Sequence, residues 1–276
     1  MLDKDAIQHI QETAHIPDIV SSLEKHDTAI PVALVPSSMR LEDLESKMPN
    51  AARYRLRYAT NSIDDFARYN EKHDQAGATC FVDADAMRAH AIYDLGTREL
   101  PLHKQNQAKL TLDKTAAFLS LININGTTLS QKQAADFIED WSDNISVLAN
   151  DETEMTAAQA AASVRDLTID AARSVASKVD DFGASMTAME KIEAKNKEQL
   201  PAFLTFTCEP YLGLKERTFN LRLSILTGDE KPRISMRVLR LESIEEDMAI
   251  EFKDLIVDSS NGLELETFIG TAEKQS

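Results

Sequence analysis

The sequence predicts an α+β protein of mostly antiparallel sheets, with a helical connector leading into a C-terminal β-meander that is packed by a helix. Three observations carry this. Between Pro201 and Glu242 the segments AFLTFTCEPY, ERTFNLRLSILTG and KPRISMRVLRL read as three strands. Phe219, Leu221, Leu223 and Ile225 alternate with Thr218, Asn220, Arg222 and Ser224, while Ile234, Met236 and Val238 alternate with Arg233, Ser235 and Arg237. That period of two sets an apolar face against a core and a polar face toward water. After the meander, SIEEDMAIEFKDLIVD gathers Ile244, Met248, Phe252, Leu255 and Ile256 on one helical face. Before it, Thr156 caps an alanine-rich helix, and a second helical pattern runs to Lys197 with Gly183 as its break and Val175, Val179, Met186 and Met189 as its apolar stripe.

Taken in order, Asp3 or Asp5 caps a first helix carrying Ile7, Ile10 and Ala14, and Pro17 re-aims the chain into a second helix, DIVSSLEKHDTA. IPVALVPSS is a buried strand, and MRLEDLESKMP a short helix stopped by Pro49. YRLRYATNS is a strand with Tyr54, Leu56 and Tyr58 on one face and Arg53, Arg55 and Arg57 on the other. Ser62 with Asp65 caps the helix IDDFARYNEKH. Thr79 to Asp83 and Arg88 to Asp94 form a hairpin, and KQNQAKLTLD adds a further strand. Thr115 to Leu121 is helical, Asn123 to Gly126 a turn, and Leu129-Ser130 opens QKQAADFIEDWSDNI, with Ala134, Phe137, Ile138, Trp141 and Ile145 on one side. An acid-rich link, ANDETEMTA, follows. Thr227-Gly228-Asp229-Glu230 connects the last two strands of the meander. Ser243 and Glu246 make a capping box, and LELETFIG returns as a final strand. The expected division is an N-terminal α+β part over 1–150, a helical connector over 151–198 and the meander with its helix over 199–276, or one continuous domain.

With 46 acidic against 30 basic residues the formal charge is −16, which speaks against direct binding of nucleic acid and against an anionic membrane surface. No apolar run reaches the roughly 18–20 residues that span a bilayer. The N-terminus reads as neither a signal nor a transit peptide, so a cytoplasmic location is expected. Cys80 and Cys208, the only cysteines, fall in strands of different halves and are expected to be unbridged.

No phosphate-loop, dinucleotide, zinc-protease, paired-cysteine or nucleophile-elbow motif occurs, so no catalytic residue, metal ligand or cofactor is assigned. His90, His103, Asp83, Asp85 and Asp94 lie close in sequence and supply imidazole and carboxylate, the donors of a hydrolytic metal site. Aspartates at strand ends, however, commonly serve turns. Arg53, Arg55 and Arg57, and Arg222, Arg233 and Arg237, are the basic concentrations of an acidic chain. They suit intramolecular pairing, or an anion-binding or subunit interface, because guanidinium forks fit carboxylate and phosphate. Glu242, Glu245, Glu246, Asp247 and Glu251 open the last helix, where the macrodipole favours negative charge.

The order FARYNEKHDQAGATCFVDADAMRAHAIYDLG, LSQKQAADFIEDW, then FLTFTCEPYLGLKERTFNLRLSILTGDEKPRISMRVLRLE and FIGT resembles the YfdQ-like family. LKERTFNLRLSILTGDEKP and FIEDW are its most specific parts. Where that family often carries an aspartate- and histidine-rich loop with a Gly-Trp step, this chain reads DLGTRELPLHKQNQ. The resemblance implies a phage or prophage accessory protein of an uncharacterised family, acting in the bacterial host's cytoplasm. The expected function is non-enzymatic, through a homo-oligomer that is large and closed in its extreme form. Two alternatives stay open: an acidic inhibitor of a host nucleic-acid-binding or defence protein, and a metal-dependent hydrolase.

Overall fold

The computed structural model describes residues 32–35, 40–149, 153–167, 201–226 and 232–272, with single helical positions at Ala14, Pro17 and Ser21. The Thr227–Glu230 connection, the helical stripe through Met189, and all but those three positions of the first two expected helices lie outside the described residues. The chain divides into two compact units, residues 1–57 and 58–276.

In the first unit, β1 (Val32–Val35) pairs antiparallel with β2 (Arg40–Asp43), Val32 opposite Asp43 and Val35 opposite Arg40. This corrects the helix expected from MRLEDLESKMP. The aliphatic run VALV offers RLED a ladder, and the Asp43 carboxylate accepts from Glu45 N at 2.8 Å. Such an Asx turn competes with helix, leaving a single 3-10 turn, Glu45–Lys47.

The second unit holds two sheets. In the five-stranded sheet the order is β13-β4-β5-β6-β3, from β3 (Leu56–Thr60), β4 (Thr79–Asp83), β5 (Arg88–Ile92), β6 (Asn106–Thr111) and β13 (Glu266–Ile269). The expected hairpin is β4–β5, antiparallel from Thr79↔Ile92 to Asp83↔Arg88. β13 joins β4 in parallel, which only a strand returning from a long excursion can do. α1 (Ile63–Lys72) begins where Ser62 accepts from Asp65 N at 3.2 Å, as its sequence predicts.

The six-stranded sheet has the order β7-β12-β11-β10-β8-β9. Its middle is the expected meander, β10 (Pro201–Cys208), β11 (Arg217–Leu226) and β12 (Arg233–Val238). Three short strands extend it: β7 (Thr128–Ser130), β8 (Ile145–Ala149) and β9 (Glu154–Met155). Ile145 was expected on a helix but begins β8, because α3 (Gln131–Asp140) already ends at Trp141. The acid-rich link contributes β9, which pairs with β8.

One face of this sheet is packed. α2 (Ala116–Ile124) sets Phe118 5.4 Å from Phe219, and α3 sets Phe137 5.9 Å from Phe206. α4 (Ala157–Arg165) opens on a capping box of Thr156 and Gln159. Its C-terminal carbonyls are met by Gln131 Nε2, which donates to Val164, Arg165 and Leu167 at 2.8–3.1 Å. The final helix, α5 (Leu241–Ser259), starts two residues before the expected capping box. Arg240, at φ 55°, turns the chain directly from β12 into the helix. Met248, Phe252 and Ile256 are its buried stripe, as its spacing predicts. The fold class is therefore α+β with mostly antiparallel sheets.

Candidate functional site

The other face of the six-stranded sheet carries the residues that alternation sends outward. Register fixes their rows. Arg222 faces Arg237 across β11 and β12, Ser224 faces Ser235, and Ser235 faces Thr128 on β7. Arg233 stands between Leu226 and Ser130. Toward β8, Thr205 faces both Asn220 and Ser146, and Phe203 faces Leu148, which faces Glu154 on β9. Thr207 and Thr218 share a 3.0 Å hydrogen bond.

Chemically this face is hydroxyls, three guanidiniums and exposed apolar groups. Phe203 and Leu226 are 48% and 44% exposed. Among the described strand residues that point this way, Glu154 at the far edge is the one carboxylate. Arg222 and Arg237 stand in direct cross-strand register here, where like charges repel. The structure therefore brings together the three C-terminal arginines that the sequence singled out.

The other three do not form the expected alternating strand face. β3 begins only at Leu56, so Arg53 and Arg55 precede it. Arg55 pairs with Glu45, and that hydrogen bond holds the Glu45 carboxyl below its usual range. Arg57 is exposed within β3.

The acidic complement lies on α5. Glu242, Glu245, Glu246, Asp247, Asp254 and Asp258 are exposed, and Ile250 among them is 53% exposed. Glu251 is half-buried, pairing with Arg217 at 2.7 Å and accepting from Lys215 N at 2.9 Å, while Asp254 pairs with Lys253 at 3.0 Å.

Of the five residues considered for a hydrolytic metal site, His103 and Asp85 are exposed and the other three have structural engagements. Asp83 pairs with Arg88 at 3.3 Å. Asp94 accepts from the amides of Gln105 and Asn106 at 2.7 and 2.9 Å, closing the loop between β5 and β6. His90 shares a 3.1 Å hydrogen bond with Gln107, and burial pushes its pKa down. Among the described residues no three His, Cys, Asp or Glu side chains are grouped to hold a metal ion. Nor is any described helix long and apolar enough to cross a membrane.

Two features had no signal in the sequence pattern. Tyr58, Tyr69, His73 and Tyr93 form a ring cluster with neighbouring centroids 4.3–5.8 Å apart. The second is the cavity rim that Phe203 and Glu154 both line, since it depends on β8 and β9.

No curated protein and no solved structure matches the chain significantly. One family does match, over residues 3–272, nearly the whole length. The chain belongs to the family described as uncharacterized conserved protein, DUF2303.

Proposed function

We propose that the protein is a non-enzymatic accessory protein, encoded by a phage or prophage and acting in the bacterial cytoplasm, whose working form is a homo-oligomer. The observation that carries the self-association is the placement of charge: Arg222, Arg233 and Arg237 share one exposed sheet face, and the exposed acids of α5 lie on a different element. A contact between two different patches is heterologous, and such contacts close into rings when the rotation between subunits allows. A net charge of −16 opposes association of like subunits unless unlike charges meet locally, and these two patches supply that. Exposed ion pairs contribute about 0.5–1 kcal/mol each and are screened by salt, so apolar area must carry most of the binding. Phe203, Leu226 and Ile250 are available for it.

Light scattering at micromolar concentration tests the reading. A mass well above one chain is expected, reduced by Arg222→Glu with Arg237→Glu while circular dichroism is unchanged. A monomer in both low and moderate salt would overturn it, and the acidic-inhibitor reading would take its place.

A further inference from the structure

Among the described residues of α5, Ile250 is the exposed large apolar side chain, and charge surrounds it in a fixed order. Glu242 and Glu246 precede it on the helix, and Lys253 follows three residues later. At about 100° per residue these four side chains span about 80° of the helix surface, so they form one stripe. The stripe reads acid, acid, aliphatic, base.

The open sheet face carries the opposite order. From β12 to β9 it runs from Arg237, past the half-exposed Phe203 on β10 and Leu148 on β8, to Glu154 on β9. Between β10 and β9 lies a cavity of about 400 Å³, whose walls include Ser146, Leu148, Glu154, Phe203 and Thr205. An apolar hollow with charge at its rim suits one face of a helix, anchored by a side chain that points into it.

We infer that this cavity receives Ile250 of a second copy of the chain, with that copy's Lys253 beside Glu154 and its Glu242 beside Arg237. This occupant presupposes the self-association proposed above and fixes the register of that contact. Dimensions agree. Strands lie about 4.8 Å apart, so a point midway between β10 and β8 is about 12 Å from β12 and about 7 Å from β9. A helix rises about 1.5 Å per residue, which puts Glu242 about 12 Å before Ile250 and Lys253 about 4.5 Å after it. With α5 laid across the strands, its N-terminal end over β12, each charge meets its opposite. Turned end for end, the helix would set its acids toward Glu154. Ile250 therefore supplies apolar burial, and charge chooses the direction. Asp254 holds Lys253 at 3.0 Å, but an exposed pair of this kind contributes little, so the ammonium is able to bridge Asp254 and Glu154.

Sedimentation of the full chain over a concentration series, with disulfide cross-linking, tests this. Ile250→Asp should raise the concentration at half-assembly about tenfold or more, while Ile250→Leu stays close to wild type. Glu154→Lys and Lys253→Glu should each raise it about two- to fivefold, and the two combined in one chain should recover most of that loss. Cross-linking reads the register directly. A chain with Ile250→Cys, mixed with a chain carrying Ser146→Cys, should form a disulfide-linked pair under mild oxidant, whereas neither alone should. The native Cys80 and Cys208 are buried and do not compete. A monomeric wild type would overturn both this register and the self-association. Assembly unchanged in Ile250→Asp, or assembly that yields no mixed cross-link, would overturn the register and leave the oligomer standing.

Discussion

The Tyr93 hydroxyl donates a 2.6 Å hydrogen bond to Asn70 Oδ1, with both side chains fully shielded from water. It ties β5 to α1 at the centre of the ring cluster, where Tyr69 stacks on Tyr58 at 4.5 Å. Tyr93→Phe keeps the ring but removes the donor and leaves a buried amide oxygen unmet. A loss of about 1–3 kcal/mol is expected, read as a lower urea midpoint at unchanged slope. Pairing it with Asn70→Leu should recover part of the loss, since removing both polar partners costs less than orphaning one.

His73 sits in the same cluster, 4.3 Å from Tyr69 and 5.5 Å from Tyr93. Burial, and secondarily the Lys72 charge, lowers its pKa below the ordinary 6.5. A lowered folded pKa means the unfolded chain takes up the proton first. The stability it contributes is therefore full above 6.5 and is lost as pH falls through the folded value. Urea titrations on either side of 6.5 should show wild type losing more stability on acidification than His73→Phe. Equal losses would remove His73 from the account.

The meander was legible in the sequence because every second residue of β11 and β12 is apolar, and the open face inherits its arginines from the same alternation. Its flanks were not. β7 is three residues long and β9 two, too short for a period to declare itself, and both are held by ladder hydrogen bonds to strands distant in sequence or across a link. Ile145 keeps helical spacing with Trp141, yet β10 offers it a ladder position opposite Phe206. The Phe203–Glu154 rim is assembled by β8 and β9, so no local pattern marks it. Arg240 replaced the Ser243 cap for a similar reason: a tight exit from β12 fixes where α5 starts before any cap is needed.

Cys80 and Cys208 are buried and unbridged, and burial pushes their thiols up to about 12 and about 11. The thiolate is the reactive species, so a disulfide reagent should react slowly with the native protein at neutral pH. Denaturation without reductant should release both thiols. Rapid native reaction would mean that β4 or β10 opens readily; no thiol after denaturation would mean a bridge.

The proposed subunit contact makes a sharper claim than mass alone. If Arg222 and Arg237 meet the α5 acids of a neighbour, reversing either side should block assembly, and mixing the two reversed proteins should restore it. One variant carries Arg222→Glu and Arg237→Glu; the other carries Glu245→Arg and Glu246→Arg, both exposed in the first two turns of α5. Cations there oppose the helix macrodipole, at a cost of about 0.3–1 kcal/mol each, so circular dichroism must confirm that α5 survives. Each variant alone presents two patches of like sign, acidic in the first and basic in the second, and should remain monomeric. Mixed in equal amounts, the two regain both contacts. The acidified sheet face of the first meets the basic helix of the second, and the unaltered arginines of the second meet the unaltered α5 acids of the first. The expected product is an assembly in which the variants alternate in one-to-one ratio, since a heterologous contact propagates when both patches of every subunit find a partner. A ring built this way must hold an even number of subunits. Dissociation of the mixed assembly in high salt would support the contact, since screening reaches exposed pairs. Monomers in the mixture, or homo-oligomers in either variant alone, would place the interface elsewhere.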